Sequence, residues 1–213
     1  MLFHNRTHAG MLLAGRLASY AGRSDLLVLA LPRGGVPVAY EIARALHAPL
    51  DVWVVRKLGA PHQPELAIGA VAPGGIQILA SRLIAELGIP PEELEEISAR
   101  ERAELDSRLA AYRGNRPPLD VRGKTILLVD DGLATGASMR AAIDSLRPLE
   151  PARIVVAVPV ADPRVCIRLS QEADEVMCLY TPPRLDAVGQ WYEDFSQTTD
   201  EEVRGLLAPI SNR

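Results

Sequence analysis

Cysteine is scarce in this 213-residue chain, which contains only Cys166 and Cys178. Neither lies in a Cys-x-x-Cys pair or a Cys/His cluster, so the sequence predicts buried, reduced thiols rather than a metal site or a disulfide scaffold. The four histidines also lack the spacing of metal ligands. Long apolar runs are missing as well, because the longest, residues 154–161, is too short to cross a bilayer.

An excess of positive charge is also absent. The net charge is −4 and the isoelectric point is near 5.6, which argues against binding nucleic acid mainly through charge. A small anionic ligand is not excluded, since a few local cations or amides suffice for it. The short apolar stretch 11–14 is not a secretory signal. We therefore expect a cytoplasmic protein with no membrane partner and no nucleic-acid partner.

The order of apolar runs predicts the fold. Hydrophobic residues make up 48% of the chain, and short apolar runs alternate with amphipathic stretches. This pattern is typical of an α/β protein with a mostly parallel, twisted sheet flanked by helices. Strands are predicted at residues 26–31, 50–56, 66–72, 125–129, 153–160 and, at the edge, 175–179. A turn at 73–75 folds residues 76–79 back as a hairpin. Helices are predicted at residues 36–47, 138–149 and 162–171.

Two regions lie outside this predicted core of about 26–79 and 121–180. Residues 81–116 read as a helical insert, broken at 88–91, with one buried stripe and a solvated face. A lid over the site or a dimer contact is the alternative role of this insert. A C-terminal tail at 181–213 ends in a predicted short helix near 199–207. We expect all of these parts to form a single domain over residues 1–213.

The strongest chemical signal is residues 130–138, here called the acidic loop. The apolar strand 125–129 ends in Asp130 and Asp131, a run of small residues follows, and a helix then begins. Unpaired amides at a helix start attract anions, and small residues let a phosphate approach the backbone. The loop therefore suits a phosphate monoester. Its predicted phosphate-binding residues are Ala134, Thr135, Gly136, Ala137 and Ser138.

The two carboxylates would repel a phosphate that they faced directly. They are better placed a few ångströms away, where they accept hydrogen bonds from ribose hydroxyls or approach Mg²⁺. The alternative is an ordinary strand-to-helix turn with an Asp cap. Thr-Gly or Asp-Asp alone would not distinguish a phosphate site from such a turn, but the whole arrangement from strand to helix does. The spacing of a nucleotide P-loop is absent.

At these residues the chain resembles the type I phosphoribosyltransferases. The segment Val129-Asp130-Asp131-x-x-Ala134-Thr135-Gly136 is similar to the family motif that binds phosphoribosyl diphosphate (PRPP). The resemblance implies a Mg²⁺-dependent transfer of phosphoribosyl from PRPP to an acceptor, with release of pyrophosphate. It also implies that Asp130 and Asp131 are catalytic and approach the metal, partly through water.

Residues 32–35, here called the diglycine loop, follow the strand at 26–31. Two consecutive glycines can direct N–H groups toward one oxyanion, although an ordinary glycine turn has the same pattern. By resemblance, Arg33, Gly34 and Gly35 bind the pyrophosphate, and the Pro32–Arg33 peptide bond is cis.

A third segment carries Arg56 and Lys57 into a Pro/Gly-rich stretch that ends at Glu65. On its own it reads as a solvated basic strand end. The resemblance implies a mobile loop that closes over the pyrophosphate, with Arg56 and Lys57 as its cations and Lys57 as a catalytic residue. Ala134 stands where 6-oxopurine-specific members have Asp, so base activation would fall to Glu65 or to no residue.

The acceptor is left open by the sequence. A nitrogenous base is the leading expectation, and Trp191 and Tyr192 are the candidates for stacking on it, although these rings equally suit pinning the tail to the core. One alternative is a regulator of the same fold that binds PRPP or a nucleotide without turnover. Another is an enzyme that uses PRPP with a different acceptor. A homo-oligomer is compatible with the sequence.

Overall fold

A parallel sheet of five strands forms the centre of the molecule. The computed structural model describes residues 2–208. Its strands are β1 Leu26–Ala30, β2 Leu50–Val52, β3 Arg56–Ala60, β4 Gln63–Ala72, β5 Ile76–Leu79, β6 Thr125–Val129, β7 Arg153–Val160 and β8 Glu175–Tyr180. The central sheet has the spatial order β2-β1-β6-β7-β8 with every neighbouring pair parallel. The carboxyl ends of β1 and β6 therefore lie side by side, which brings the diglycine and acidic loops together.

Helices cover both faces of this sheet. They are α1 Arg6–Arg16, α2 Gly35–Leu46, α3 Ser81–Glu86, α4 Pro91–Arg113, α5 Ala137–Leu146, α6 Pro163–Leu169 and α7 Asp200–Leu207. Side chains alternate along each strand and so divide the core into two clusters. Val28 and Leu127 face a cluster built with α1, α2, α4 and α7. Leu29 and Leu128 face a second cluster built with α5 and α6. The predicted α/β class is thereby confirmed.

Residues 56–79 form a separate antiparallel sheet, β3-β4-β5, rather than further strands of the central one. The prediction of one strand over 50–56 was wrong, because β2 ends at Val52 and Arg56 begins β3. Trp53 and Val54 are buried outside either strand, so the apolar pattern continues where the ladder has ended. The predicted turn at 73–75 is confirmed, and Gly74 has the positive φ of 80° that favours glycine there.

The helical insert lies against this second sheet. Its predicted break at 88–91 separates α3 from α4. The stripe of α4 that the spacing predicted as buried includes Ile97, Leu105 and Tyr112. This stripe packs on β3, β4 and α7, so the insert supports the hairpin β3–β4 from one side.

Both ends of the described chain fold back onto the core. Helix α1 was not predicted; it begins after Asn5, whose side chain accepts a hydrogen bond from the His8 amide, and it buries Leu13. The predicted C-terminal helix is confirmed as α7, capped by Thr199 and buried at Val203. Within residues 2–208 no helix is both long and apolar enough to cross a membrane.

Candidate functional site

The diglycine loop touches the acid pair directly. A Cβ atom on Gly34 would lie 2.1 Å from Asp131 Oδ2, and one on Gly35 would lie 2.6 Å from the Val129 carbonyl oxygen. A larger residue would displace the Asp131 side chain at the first position and the backbone of Val129 and Asp130 at the second. The Pro32–Arg33 peptide bond is cis, as predicted.

Not every amide of this loop is free for a ligand. The Gly35 amide donates to the Leu31 carbonyl at 3.0 Å, because Gly35 already begins α2. The expectation that it faces a pyrophosphate is therefore corrected. For the Arg33 and Gly34 amides, by contrast, no hydrogen-bond partner is recorded among residues 2–208.

The acid pair is held in place from several sides. Asp130 Oδ1 accepts from the Asp131 amide at 2.8 Å, and Asp131 Oδ2 accepts from Arg6 Nε at 2.8 Å. Burial and repulsion by Asp131 raise the pKa of Asp130 well above its ordinary value. Burial also raises the pKa of Asp131, although Arg6 opposes that shift. The pair is thus short of positive charge, which suits a cation or hydroxyl donors.

This electrostatic arrangement predicts that an Asp130→Asn variant is more stable than the wild type at neutral pH. A carboxyl whose pKa is raised in the folded state binds protons more readily there than in the unfolded chain. The wild type therefore loses stability as the pH rises above the ordinary value near 4. We expect the variant's Tm to exceed the wild-type Tm by at least about 2 °C at pH 7.5, and the gain to vanish near pH 4.

Asp25 provides a control of opposite sign. Hydrogen bonds from Arg23 and Thr125 lower the pKa of Asp25, so its charge stabilises the fold above the ordinary pKa. Asp25→Asn should lower the Tm at pH 7.5, with the loss shrinking on acidification. Scanning calorimetry of both variants between pH 4 and 8 checks the signs, and an Asp130→Asn variant less stable than wild type at pH 7.5 would contradict the charge argument.

Arg6 is the residue of this site that sequence reasoning missed. Besides pairing with Asp131, it donates from Nη1 to the Ser196 carbonyl at 2.7 Å, and its guanidinium lies 3.9 Å from the centre of the Phe195 ring. It therefore ties α1, the acid pair and the tail together. No short-range pattern could have revealed it, because its partners lie 125 and 190 positions away along the chain.

The remainder of the acidic loop presents backbone donors. Gly136 has a φ of 72° and caps the start of α5, and the Ala137 amide is 3.4 Å from Thr135 Oγ1. Within residues 2–208, the amides of Ala134, Thr135, Gly136 and Ser138 have no recorded partner. Unpaired donors at the start of a helix are the arrangement that binds a phosphate.

The two cations of the hairpin have different positions. Lys57 lies with Thr135, Gly136 and Ala137 around a cavity of about 480 Å³, which the acid pair does not line, and together with Arg56 it also borders the cavity beside α4. Arg56 is instead held by Glu101 of α4, with Nη2 2.7 Å from Oε2. The assignment of Arg56 to the pyrophosphate stays a prediction, because in this structure its guanidinium pairs with the insert.

Glu65 is exposed and lies away from the acid pair. It lines a second cavity of about 590 Å³ between the hairpin and α4. The structure does not bring it to the acidic loop.

Arg33 is approached by the tail. Its Nη1 lies 3.8 Å from Asp200 Oδ1, and the Tyr112 hydroxyl donates to the same oxygen at 2.7 Å. Burial and the bond to Asp200 raise the pKa of Tyr112 to about 12. Helices α4 and α7 thus meet beside the diglycine loop, a contact that the sequence pattern did not predict.

The two aromatic candidates for base binding also differ. Tyr192 is buried between Phe3 and Phe195, and its hydroxyl donates to the Asp131 carbonyl at 2.6 Å. This placement favours the alternative that it pins the tail to the core. Trp191 lies beside Tyr180, and its buried Nε1 has no hydrogen-bond partner among the described residues.

Comparisons with known proteins agree with these features. A family model described as "Phosphoribosyl transferase domain" matches residues 4–180. The Mycobacterium tuberculosis (H37Rv) protein Rv0571c, provisionally named a phosphoribosyl transferase, is 43% identical over 206 residues, or 97% of this chain and 46% of that protein. The chain therefore spans about half the length of the curated relatives it matches first.

Two further matches differ in extent. The crystal structure of TT1426 from Thermus thermophilus is 46% identical with a TM-score of 0.88, covering 99% of this chain and 100% of that one. The bifunctional protein PyrR of Chloroflexus aurantiacus is 38% identical over 87 residues, which is 38% of this chain and 48% of that protein.

Proposed function

Because the chain belongs to the phosphoribosyltransferase family, we propose that it transfers the phosphoribosyl group of PRPP to a nitrogenous base and releases pyrophosphate. The observation that carries this proposal is the contact between the acid pair and the diglycine loop, where Gly34 leaves no room for a Cβ beside Asp131. Unpaired amides lie on both sides of that contact within residues 2–208. A sugar with a phosphate at each end fits such an arrangement.

The 5′-phosphate of PRPP would bind at the amides of the acidic loop. Ala134, Thr135, Gly136 and Ser138 provide donors at the start of α5, where the helix dipole also favours an anion. This contact lies away from the reacting carbon. Its binding energy can therefore hold the sugar in the geometry that the reaction needs.

The chemical step separates charge, and the two loops would stabilise both parts. The bond from C1 to the pyrophosphate oxygen breaks with its electron pair on the leaving group, and a nitrogen lone pair of the base forms the new bond to C1. The base then gives up a proton. Arg33, the Gly34 amide and Lys57 would stabilise the charge on the pyrophosphate, while Asp130 and Asp131 balance positive charge on the sugar.

The acid pair also fits Mg²⁺. The ion prefers carboxylate oxygens and keeps several waters. Burial raises the pKa of both carboxyls, and repulsion by Asp131 adds to the shift of Asp130, so a cation beside them would be favourable. No group of three or more His, Cys, Asp or Glu in the described part of the chain could hold a metal by itself. Asp130 and Asp131 would therefore hold an ion that arrives with PRPP, and the bound ion would neutralise pyrophosphate charge.

Recognition of the base would fall to the tail. Val188 packs against Gly132, and Trp191 has a buried indole N–H without a recorded partner in residues 2–208. To donate to an acceptor atom on a flat ring, this buried donor would have to become accessible when the base binds. Ala134 has no group that can take a proton, so we propose that the acceptor base reacts without a proton acceptor from this position.

The direct test is to incubate the protein with PRPP, Mg²⁺ and a panel of purines and pyrimidines, and to follow pyrophosphate release. Release that depends on one class of base, with the matching nucleotide detected by mass spectrometry, supports the transferase. Release that is equal without any base indicates a different acceptor, such as water. PRPP binding without release indicates a regulator.

Lys57 should contribute to turnover more than to sugar-phosphate binding. It lies on the hairpin, across the cavity from Thr135–Ala137. We expect Lys57→Ala to lower kcat by about 100-fold, the cost of losing one donor to a developing charge. The affinity for ribose 5-phosphate, measured by calorimetry, should change by less than about twofold, since that ligand lacks the pyrophosphate.

The chain offers a matched control, because its only other lysine is Lys124. Lys124 directly precedes the amino end of β6, whereas the acidic loop follows its carboxyl end. Lys124→Ala should therefore leave both kcat and the affinity for ribose 5-phosphate unchanged. Equal losses of kcat in the two variants, or a normal kcat in Lys57→Ala, would contradict the role proposed for Lys57 in turnover.

A regulator that binds PRPP or a nucleotide without turnover is the second candidate. The observation in its favour is that two arginines of the region already have carboxylate partners: Arg6 pairs with Asp131 and Arg56 with Glu101. Binding of PRPP would then have to compete with Arg6 for Asp131. Saturable binding by calorimetry, with no pyrophosphate released over hours in the base panel, would favour this candidate.

A further inference from the structure

We propose that Cys166 and Cys178 are a redox modification site, which a peroxide converts reversibly to an intramolecular disulfide. The two sulfur atoms lie 3.6 Å apart although they belong to different elements, Cys166 to α6 and Cys178 to β8. They are the only cysteines of the chain. Both are partly exposed, so a small oxidant can reach them.

The elements that carry the two thiols can accommodate the bond. A disulfide needs a sulfur–sulfur distance of about 2.05 Å, so the atoms must approach by roughly 1.5 Å. Helix α6 has only seven residues, and β8 lies at the edge of the central sheet, paired on one side with β7. A short helix and an edge strand can shift by this amount at lower cost than a central strand.

The chemistry balances with the peroxide as oxidant. The hydrogen bond between the two thiols lowers the pKa of Cys166, whereas this bond and burial raise the pKa of Cys178. Cys166 releases its thiol proton, and the thiolate attacks one peroxide oxygen to form a sulfenic acid. The O–O bond breaks, and the departing hydroxide takes up a proton and leaves as the first water. The Cys178 sulfur then attacks the Cys166 sulfur, loses its proton, and the sulfenic oxygen leaves as the second water.

The site lies directly behind the acidic loop. Val165, next to Cys166, has its Cγ1 2.5 Å from the position of a Cβ on Gly136, and Arg168 Nη2 donates to the Thr135 carbonyl at 3.3 Å. A shift of α6 toward β8 therefore changes the support of the loop amides. This second part rests on the proposed function: we expect the oxidised protein to bind ribose 5-phosphate at least about fivefold more weakly.

The modification is tested on the full chain with hydrogen peroxide, followed by alkylation of free thiols and mass spectrometry. We expect an intramolecular disulfide between Cys166 and Cys178 that dithiothreitol reverses. The variants Cys166→Ser and Cys178→Ser, each with a single thiol, should form none. Independent oxidation of each wild-type cysteine to sulfinic acid, or crosslinked dimers as the main product, would overturn the site.

The effect on the loop is tested by calorimetry with ribose 5-phosphate on reduced, oxidised and Cys166→Ser protein. Weaker binding by the oxidised wild type alone supports the coupling. Equal affinity of the reduced and the disulfide-bonded forms would overturn it. If the reduced protein does not bind the sugar phosphate at all, the proposed function fails instead, and the disulfide is judged by its mass alone.

Discussion

Replacing Asp130 and Asp131 together by Asn should lower pyrophosphate release by at least about 1000-fold, or about 4 kcal/mol of transition-state stabilisation, while the fold persists. The asparagines keep the shape of the carboxylates but cannot balance positive charge on the sugar or hold Mg²⁺. Initial rates with PRPP and the best acceptor measure the effect. Circular dichroism and the Tm report on the fold.

The double variant should not unfold, for two reasons. The acid pair is raised in pKa by burial, so neutralising it removes an unfavourable charge. Arg6 loses Asp131 as an ionic partner but keeps the Ser196 carbonyl and the Phe195 ring. Asp25 directly precedes the amino end of β1, away from the acid pair. Asp25→Asn is therefore the control, and we expect it to leave the rates unchanged. Wild-type rates in the double variant would exclude any role for the pair in the reaction.

Gly34→Ala is also expected to lower activity strongly, although it adds a single methyl group. The new Cβ would lie 2.1 Å from Asp131 Oδ2 and 2.7 Å from its Cγ, so the carboxylate that accepts from Arg6 must move. A displacement of about 1 Å at reacting groups can cost about 100-fold in rate. We expect a loss of this size in kcat/KM, together with about 1–3 kcal/mol of unfolding free energy.

Gly15→Ala is the matched control for this substitution. Gly15 lies within α1, and a Cβ there meets no atom within 4 Å. Alanine is preferred over glycine inside a helix, so this variant should gain about 0.5–1 kcal/mol of unfolding free energy with unchanged kcat/KM. Comparing the two by urea unfolding and steady-state kinetics separates the steric effect from the general effect of adding Cβ. A fully active Gly34→Ala variant would mean that Asp131 can move freely.

The central sheet could be predicted because its strands are buried on both faces. The runs at 26–30, 126–129 and 154–160 are apolar throughout, and a polar or small-residue loop ends each of the first two. Such runs identify strands, but they do not say which sheet a strand joins. That is why β4 was predicted as a strand while its place in a separate antiparallel sheet was not.

Side-chain direction explains the difference between Arg56 and Lys57. Consecutive residues of a strand point to opposite faces, so these two neighbours cannot both face the acidic loop. Their sequence, two adjacent cations, contains no information on which one turns inward. In the structure Arg56 turns toward Glu101, which lies 45 positions further along the chain.

Arg6 and Asp200 were beyond sequence reasoning for a related reason. Each reaches the site from an end of the described chain and makes its contacts with residues distant in sequence. Local patterns report on helix starts, turns and periodicity, whereas these contacts arise only when α1 and α7 dock. The acidic loop was recognisable because strand, carboxylates and helix start are contiguous.

The docking of α7 limits how far the protein can be trimmed for crystallisation or fusion. The family match ends at residue 180, and a fragment cut there would retain all eight described strands. It would nevertheless lose Val203, uncover the apolar surface of α2 and α4, and leave Arg33 without Asp200. Shortened versions should therefore keep residues 181–208, even though every residue of the acidic loop lies upstream of them.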